Sequence, residues 1–224
     1  MFTGDARRGR DLADDSVAVA RASGNDRLVA QALSLLAWQA TNTGDYDRAE
    51  TLAMESLDRW RQLGDTGEVA ELHFQLGNVA MFRGDHERAD RSFQDALALH
   101  RDRGDVLHLS RDMSAVGAAA LNLRDLDRAR ALIDESLDLA RRYDDRWGQA
   151  MSLTLLGHVE LATGDAARAL ALLATAAGQF NVIGNLLYLP WCLEGLAGVA
   201  AARGNLLPPP SSTGPARPSP RRSA

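Results

Sequence analysis

The sequence has 224 residues, a formal net charge of −5, 46% hydrophobic residues and only 5% aromatic residues, which suits a helical core of Leu, Ala and Val. All 25 basic residues are arginines, and the lack of lysine excludes a standard P-loop, a protein kinase and a Schiff-base enzyme. The single Cys192 excludes an intrachain disulfide, and the acidic charge disfavours direct binding to nucleic acid.

A Gly-Asp or Gly-Asn pair recurs at intervals of 20 residues along the chain. The pairs are Gly4-Asp5, Gly24-Asn25, Gly44-Asp45, Gly64-Asp65, Gly84-Asp85, Gly104-Asp105, Gly164-Asp165, Gly184-Asn185 and Gly204-Asn205. Glycine ends a helix in the left-handed conformation without a Cβ penalty, and Asp or Asn caps the helix that follows. Arg124-Asp125 and Asp144-Asp145 keep the same spacing without glycine. The pattern therefore predicts helical hairpins with a corner at each pair.

In chain order, the corners predict a first unpaired helix at 6–22, four helix pairs over 25–183 and a last unpaired helix at 186–203. Together these form one predicted helical domain at 1–204 with a 40-residue period and about ten helices. The remaining 205–224 contain six of the seven prolines and three arginines, so this tail is predicted to be disordered.

The 40-residue period also aligns residues within the helices. Four sets share a position: Leu36, Leu76, Val116, Leu156 and Leu196; Ala37, Gly77, Gly117, Gly157 and Ala197; Ala49, Ala89, Ala129 and Ala169; Ala53, Phe93, Ile133 and Leu173. Glycine inside a helix costs about 1 kcal/mol relative to alanine. Three glycines at one position therefore predict helices that approach too closely for a side chain.

These positions resemble the tetratricopeptide repeat, over residues 5–204. The second repeat matches best, with Leu76-Gly77 in its first helix and Ala89, Phe93 and Ala96 in its second. His73 and Ala80 stand where the family usually has aromatic residues. The resemblance implies an all-α, right-handed α-solenoid of antiparallel hairpins that acts without catalysis.

Two stretches, at 145–150 and 192–204, look like the tetratricopeptide region of actinobacterial LuxR-type and signal-transducing ATPase regulators. The arginine-only, alanine-rich composition is also typical of a high-GC bacterial genome. This resemblance implies the sensor or oligomerisation part of a bacterial transcriptional regulator.

In such a solenoid the first helix of each pair lines the concave face, where partners bind. The residues that the resemblance assigns to this groove are Gln31, Ser34, Trp38, Asn42, Glu71, Phe74, Asn78, Met81, Phe82, Arg111, Asn122, His158, Trp191 and Glu194. Their mixture of aromatic, apolar and amide side chains favours an apolar ligand or peptide surface. The alternative interpretation is that curvature buries the apolar members against neighbouring repeats.

The leading hypothesis is a non-catalytic protein-interaction scaffold that binds a protein or peptide. A second is a small-molecule (inducer) receptor that uses the groove around Trp38, Phe74, Phe82 and His158. A third is a self-associating solenoid, a homo-oligomer formed through the last unpaired helix with Leu193, Leu196 and Val199.

No cofactor and no metal site are predicted, because none of the five histidines pairs with another at the i, i+4 spacing. The polar start of the chain is unlike a signal peptide, and no apolar run approaches 18 residues. We therefore expect a cytoplasmic protein with no membrane partner.

Overall fold

The computed structural model describes residues 15–184 and 188–204, and all regular structure in these ranges is α-helical. The chain divides into two compact units, Met1–Asp105 and Val106–Ala224. The predicted all-α arrangement of helical hairpins is confirmed. The predicted helix at 6–14, the start of the last helix at 186–187 and the predicted tail 205–224 lie outside the described residues.

Each unit has five helices within its described residues. In the first unit these are α1 (15–22), α2 (Asp26–Asn42), α3 (Tyr46–Leu63), α4 (Thr66–Arg83) and α5 (His86–Asp102). In the second they are α6 (Val106–Asn122), α7 (Leu126–Arg142), α8 (Arg146–Thr163), α9 (Ala166–Ile183) and α10 (Leu189–Ala202). The even-numbered helices are the first helices of the repeats, and the odd-numbered helices are the second.

Seven of the corners take the predicted capped conformation, whereas α10 begins after Tyr188, which makes no side-chain cap hydrogen bond, and not at the predicted residue 186. The side chains of Asn25, Asp45, Asp65, Asp85, Asp125, Asp145 and Asp165 each accept a hydrogen bond from the backbone N–H three residues later. Glycine at the corners is left-handed, as at Gly84, with φ of 80°. Where glycine is missing, Arg124 and Asp144 still adopt positive φ, 65° and 52°. The turn geometry is therefore kept even where the residue type disfavours it.

The predicted close contact between the two helices of a hairpin is confirmed. A Cβ added to Gly77 would lie 2.5 Å from the Phe93 ring, and one added to Gly117 would lie 2.5 Å from Ile133 Cγ1. A Cβ on Gly157 would lie 2.5 Å from Leu173 Cγ. Each glycine therefore leaves room for the large residue 16 positions later. In the first hairpin, two small buried residues, Ala37 and Ala53, occupy the same positions.

The core of the first unit follows these positions. Val17 and Ala20 of α1 pack with Val29, Leu33 and Leu36 of α2. The cluster between α2, α3 and α4 includes Trp60, whose indole is fully buried. The Arg27 guanidinium lies over the Trp60 ring, 5.1 Å from the ring centroid.

Four buried serines lie within the second unit. The hydroxyl of Ser136 lies 2.8 Å from that of Ser114 and 3.0 Å from that of Ser152, and it donates to the carbonyl oxygen of Ser110 at 2.7 Å. In the first unit Ser56 donates in the same way to the carbonyl oxygen of Ala30, at 2.7 Å. The hydroxyls therefore join the two helices of a hairpin, and Ser136 also joins α7 to α8 of the next hairpin.

One described helix, α9, is long and apolar enough to cross a membrane, with 18 residues and a mean hydropathy of 1.3. The expectation that no apolar stretch approaches this length is wrong for α9 by that measure. Ala169, Leu173, Ala176 and Phe180 are nonetheless buried at the positions used by the other second helices. Length and composition alone therefore give only weak support for a membrane span, and α9 packs as a repeat helix.

Candidate partner-binding site

The first unit places the predicted groove residues on α2 and α4, which are in contact. On α2, Gln31 and Asn42 are exposed, and the half-buried Ser34 hydroxyl lies 3.0 Å from that of Ser56. On α4, Asn78 is half-buried, and Glu71 is half-buried with a carboxylate oxygen 3.5 Å from His100 Nε2. Amide side chains are therefore available on both helices, with Glu71 as the charged member.

The aromatic groove residues of this unit differ in accessibility. Trp38 is 46% exposed and Phe82 is 41% exposed, with the Phe82 ring stacked on Tyr46 at a centroid distance of 5.8 Å. Phe74 is half-buried, with its ring centroid 5.4 Å from that of Phe93, and Met81 is half-buried too. Packing against neighbours therefore covers part of Phe74 and Met81, while Trp38 and Phe82 keep large accessible faces.

In the second unit, His158 of α8 and Trp191 of α10 lie together, with ring centroids 5.7 Å apart. Burial lowers the pKa of His158, so its neutral form is favoured. Its Nε2 is buried and has no hydrogen-bond partner among the described residues. No other polar side-chain atom of the predicted groove is both buried and without a hydrogen-bond partner among the described residues.

The other predicted groove residues of the second unit are Arg111, Asn122 and Glu194. Arg111 is half-buried, with its guanidinium 3.1 Å from the buried carboxylate of Asp112. Asn122 is exposed and donates to the carbonyl oxygen of Ala118, while Glu194 is half-buried. Arg111 therefore has a structural counter-ion, which the sequence interpretation missed.

Two groups that could in principle react, the Cys192 thiol and the Asp145 carboxylate, have structural partners. The Cys192 thiol is buried, lies 3.3 Å from the Thr154 hydroxyl and has a pKa raised by burial, which disfavours the thiolate nucleophile. Asp145 accepts from the Gly148 N–H at 2.9 Å as a helix cap.

A small cavity lies in the first unit beside the corner between α2 and α3. Its volume is about 10 Å³, and it is lined by Leu36, Gln39, Ala40, Thr43, Asp45 and Arg48. This space holds roughly one water molecule. It is separate from the aromatic residues of the predicted groove and is far too small for an organic ligand.

Sequence reasoning missed two features near the predicted site. Leu35 of α2 is exposed between Gln31 and Trp38, and the seven-residue spacing from Leu28 to Leu35 to Asn42 could have placed it on the same face. Val199, predicted to need a partner, is instead buried with Ala169 and Leu173. The exposed face of α10 is therefore the one that contains Leu193, which is 53% exposed, and not the one that contains Val199.

Residues 28–102, which form most of α2 to α5, match the sequence profile of the tetratricopeptide repeat. Residues 28–102 of the chain therefore contain tetratricopeptide repeats. The match confirms the resemblance given by Leu76-Gly77, Ala89, Phe93 and Ala96. A comparison of the sequence with curated proteins found no significant match.

Solved structures share the tetratricopeptide repeat fold over most of the chain. BtubC (BKLC) from P. vanneervenii is 20% identical with a TM-score of 0.66, and the match covers 98% of this chain and 96% of BtubC. A signal transduction ATPase with numerous domains (STAND) from Pyrococcus horikoshii, which has a tetratricopeptide repeat sensor, is 15% identical with a TM-score of 0.66, covering 79% of this chain and 28% of that protein. A Rap protein complexed with competence and sporulation factor is 16% identical with a TM-score of 0.62, covering 89% and 60%. At these identities the likeness establishes the fold alone.

Proposed function

We propose that this tetratricopeptide repeat protein is a non-catalytic interaction scaffold that binds a protein or peptide segment on the first helices of its first unit. The observation that carries the proposal is the exposure of Trp38 and Phe82 on α2 and α4. Exposed aromatic side chains are frequent anchors of protein interfaces, because they bury a large area with little loss of conformational freedom.

The polar residues around these anchors suggest the chemistry of the partner. Gln31, Asn42 and Asn78 can each donate to and accept from a peptide backbone, and Glu71 supplies the negative charge of this set. A segment with one or two apolar side chains and an accessible backbone fits these groups better than an acidic segment, which Glu71 would repel.

We further propose that the chain is the sensor or oligomerisation part of a bacterial transcriptional regulator and acts in the cytoplasm. Support comes from the LuxR-like stretches at 145–150 and 192–204 and from the shared fold with the sensor of the STAND protein. The chain spans only 28% of that protein and 60% of the Rap protein, so a role within a larger regulator is part of the proposal.

The binding proposal can be tested with peptides selected from a random dodecamer display library on the wild-type protein. We expect Trp38→Ala and Phe82→Ala each to weaken the selected peptides at least tenfold, about 1.4 kcal/mol or more. Met54→Ala is the matched control, because Met54 is an exposed apolar residue on α3 outside the groove. Selected peptides that bind both aromatic variants as well as the wild type would place the binding site elsewhere.

The regulator role has a separate test, the sequencing of the DNA on both sides of the reading frame. An ATPase reading frame that runs into the repeats would support the proposal. Unrelated genes on both sides, with a ribosome site before Met1, would contradict it and leave a free-standing repeat protein.

The exposed face of α10 favours self-association as a second candidate function. The cavity beside the corner of α2 and α3 holds roughly one water molecule and gives the small-molecule hypothesis no support. The surfaces beside Trp38 and His158 are the alternative places for an inducer among the described residues.

A further inference from the structure

The helix α10 exposes a face that the other first helices bury. Leu193 is 53% exposed, whereas Leu33, Met113 and Leu153 at the same repeat position are at most 7% exposed. Ala197 is half-buried, whereas Ala37, Gly77, Gly117 and Gly157 at its position are buried. In α4, α6 and α8 this position lies against the second helix of the same hairpin, as Gly77 does against Phe93. We call the face formed by Leu193, Ala197 and Ala201 the tail surface.

The helices α1 and α2 expose the complementary faces. Val19 of α1 is 70% exposed, whereas Leu99 at the same position of α5 packs on the cluster that contains Val69 and Leu72 of α4. Ser16 is exposed, whereas Ser56, Ala96, Ser136 and Ala176 at its position are fully buried. In the other second helices these positions face the first helix of the same hairpin, as Ser56 faces the Ala30 carbonyl oxygen.

On α2, Leu35 is 71% exposed and Trp38 is 46% exposed. The same positions in α10 are Gly195 and Gly198, which lie against α8. A Cβ on Gly195 would lie 3.1 Å from His158 Cε1, and one on Gly198 would lie 3.3 Å from Leu161 Cδ1. In α10 these positions therefore face the preceding first helix. We call the face formed by Val19, Leu35 and Trp38 the head surface.

The 40-residue period fixes how the two surfaces would meet. In the contact between α8 and α10, large His158 and Leu161 lie against small Gly195 and Gly198. When this contact is repeated one period later, α10 of one copy takes the place of α8, and α2 of a second copy takes the place of α10. Gly198 and Ala201 of the first copy then lie opposite Leu35 and Trp38 of the second copy. Large side chains again meet small ones, with the sizes exchanged between the two helices.

We propose that the tail surface of one copy binds the head surface of a second copy, so that α10 pairs with the second copy's α1 as the helices of a hairpin do. The five side chains of Val19, Leu35, Trp38, Leu193 and Ala197 are apolar, so burial rather than charge drives the contact. The contact is heterologous, which means that association continues beyond two copies or closes into a ring. Trp38 is also an anchor of the proposed peptide groove, so a bound peptide and a second copy compete for it.

Two single substitutions test the contact, with sedimentation velocity measured from micromolar to near-millimolar protein. Leu193→Arg blocks the tail surface and Val19→Arg blocks the head surface, and both side chains are exposed, so the variants retain the wild-type helical content by circular dichroism. We expect the wild type to grow in mass with concentration, and each variant to weaken self-association at least tenfold. Mixing the two variants leaves one intact head and one intact tail, so the mixture forms a dimer that does not grow further.

Met54→Arg is the matched control, because the position of Met54 is exposed in α3, α5, α7 and α9 alike, and we expect it to associate as the wild type does. A wild type that stays monomeric at the highest concentration would overturn the proposal. So would a Val19→Arg variant that dimerises alone, because that result indicates a symmetric α10 contact. Peptide binding is measured separately on the Leu193→Arg variant, whose groove residues are unchanged, so failure of self-association is distinguishable from failure of the proposed function.

Discussion

Arg124 is the residue at which local conformation and residue type disagree most. It occupies a helix corner with φ of 65°, where the other repeats have glycine or, in one case, Asp144. The left-handed conformation costs a residue with a Cβ roughly 1 to 2 kcal/mol, and part of this is offset by the greater unfolded-state entropy of glycine.

We therefore expect Arg124→Gly to raise the free energy of unfolding by about 0.5 to 1 kcal/mol, measured by urea denaturation. Gly84→Ala, at an equivalent corner with φ of 80°, should lower it by about 1 kcal/mol. A stability of Arg124→Gly equal to or below that of the wild type would show that the Arg124 side chain has a compensating role.

Glu160 is a buried carboxylate near the end of α8, and it binds two arginines. Arg130 contacts both of its oxygens, at 2.5 and 2.9 Å, and Arg168 Nε lies 2.9 Å from Oε1. The hydrogen bonds from Arg130 hold the pKa of Glu160 below its usual range, more than burial raises it. A carboxylate with a lowered folded-state pKa adds stability above its ordinary pKa, and that stability is lost as the pH falls through the folded-state value.

We expect Glu160→Gln to lower the free energy of unfolding by about 2 kcal/mol at neutral pH, because the charged hydrogen bonds are lost. The difference from the wild type should shrink as the pH falls below the ordinary glutamate pKa and through the lowered folded-state pKa of Glu160, where the wild-type carboxylate becomes protonated. Urea denaturation at a series of pH values measures it, with exposed Glu135→Gln on α7 as the control. A difference that is constant down to acid pH would rule out this source of stability.

At the scale of a helix pair, the fit between a small and a large residue decides how closely two helices approach. Gly77 leaves its space to the ring of Phe93, while the first hairpin uses Ala37 and Ala53 instead. An added Cβ would lie 2.5 Å from the Phe93 ring, so the ring or the helix must move. The two positions should therefore be strongly coupled.

We expect Gly77→Ala to destabilise the protein by about 1 to 2 kcal/mol, because overpacking outweighs the gain in helix propensity. In a Phe93→Ala background the same change should become neutral or stabilising, since it recreates the Ala37 and Ala53 pair of the first hairpin. A double-mutant cycle measured by chemical denaturation gives the coupling energy. Additive effects within about 0.5 kcal/mol would show that the two residues do not compete for space.

The sequence predicts such pairs well because the period repeats them under nearly identical packing. It fails where the neighbours differ from one repeat to the next. The position of Glu160 holds alanine in the three earlier first helices, and its counter-ion Arg130 stands where Glu50 and Asp90 occur. No single position therefore indicates the ion pair, which only the packing of α7, α8 and α9 brings together.

The candidate site is less determined by the sequence than the fold is. The groove residues were assigned by position within a repeat, and a position does not fix how far a neighbouring repeat covers its side chain. The exposed fractions of the Trp38 and Trp191 side chains differ for this reason. Trp191 packs beside His158 on the preceding first helix, whereas Trp38 remains 46% exposed on α2, which has no earlier first helix of a repeat among the described residues.

At the scale of the whole molecule, burial is distributed unevenly among the helices. Eleven of the 18 residues of α8 are buried, but only three of the 14 residues of α10, namely Cys192, Gly195 and Val199. The stability of a repeat helix comes mainly from its contacts with neighbours, so a helix covered on fewer faces opens at lower free energy. Local opening should therefore be far more frequent in α10 than in α8.

Hydrogen exchange read out by mass spectrometry measures this difference and connects it to self-association. In dilute protein we expect the amides of α10 to exchange at least about tenfold faster than those of α8. As the concentration rises, exchange in α10 should slow in the wild type and stay fast in Leu193→Arg, because a second copy covers the tail surface only in the former. Protection of α10 equal to that of α8 in dilute protein would mean that its exposed face is already covered within one chain. The tail surface would then be unable to bind a second copy.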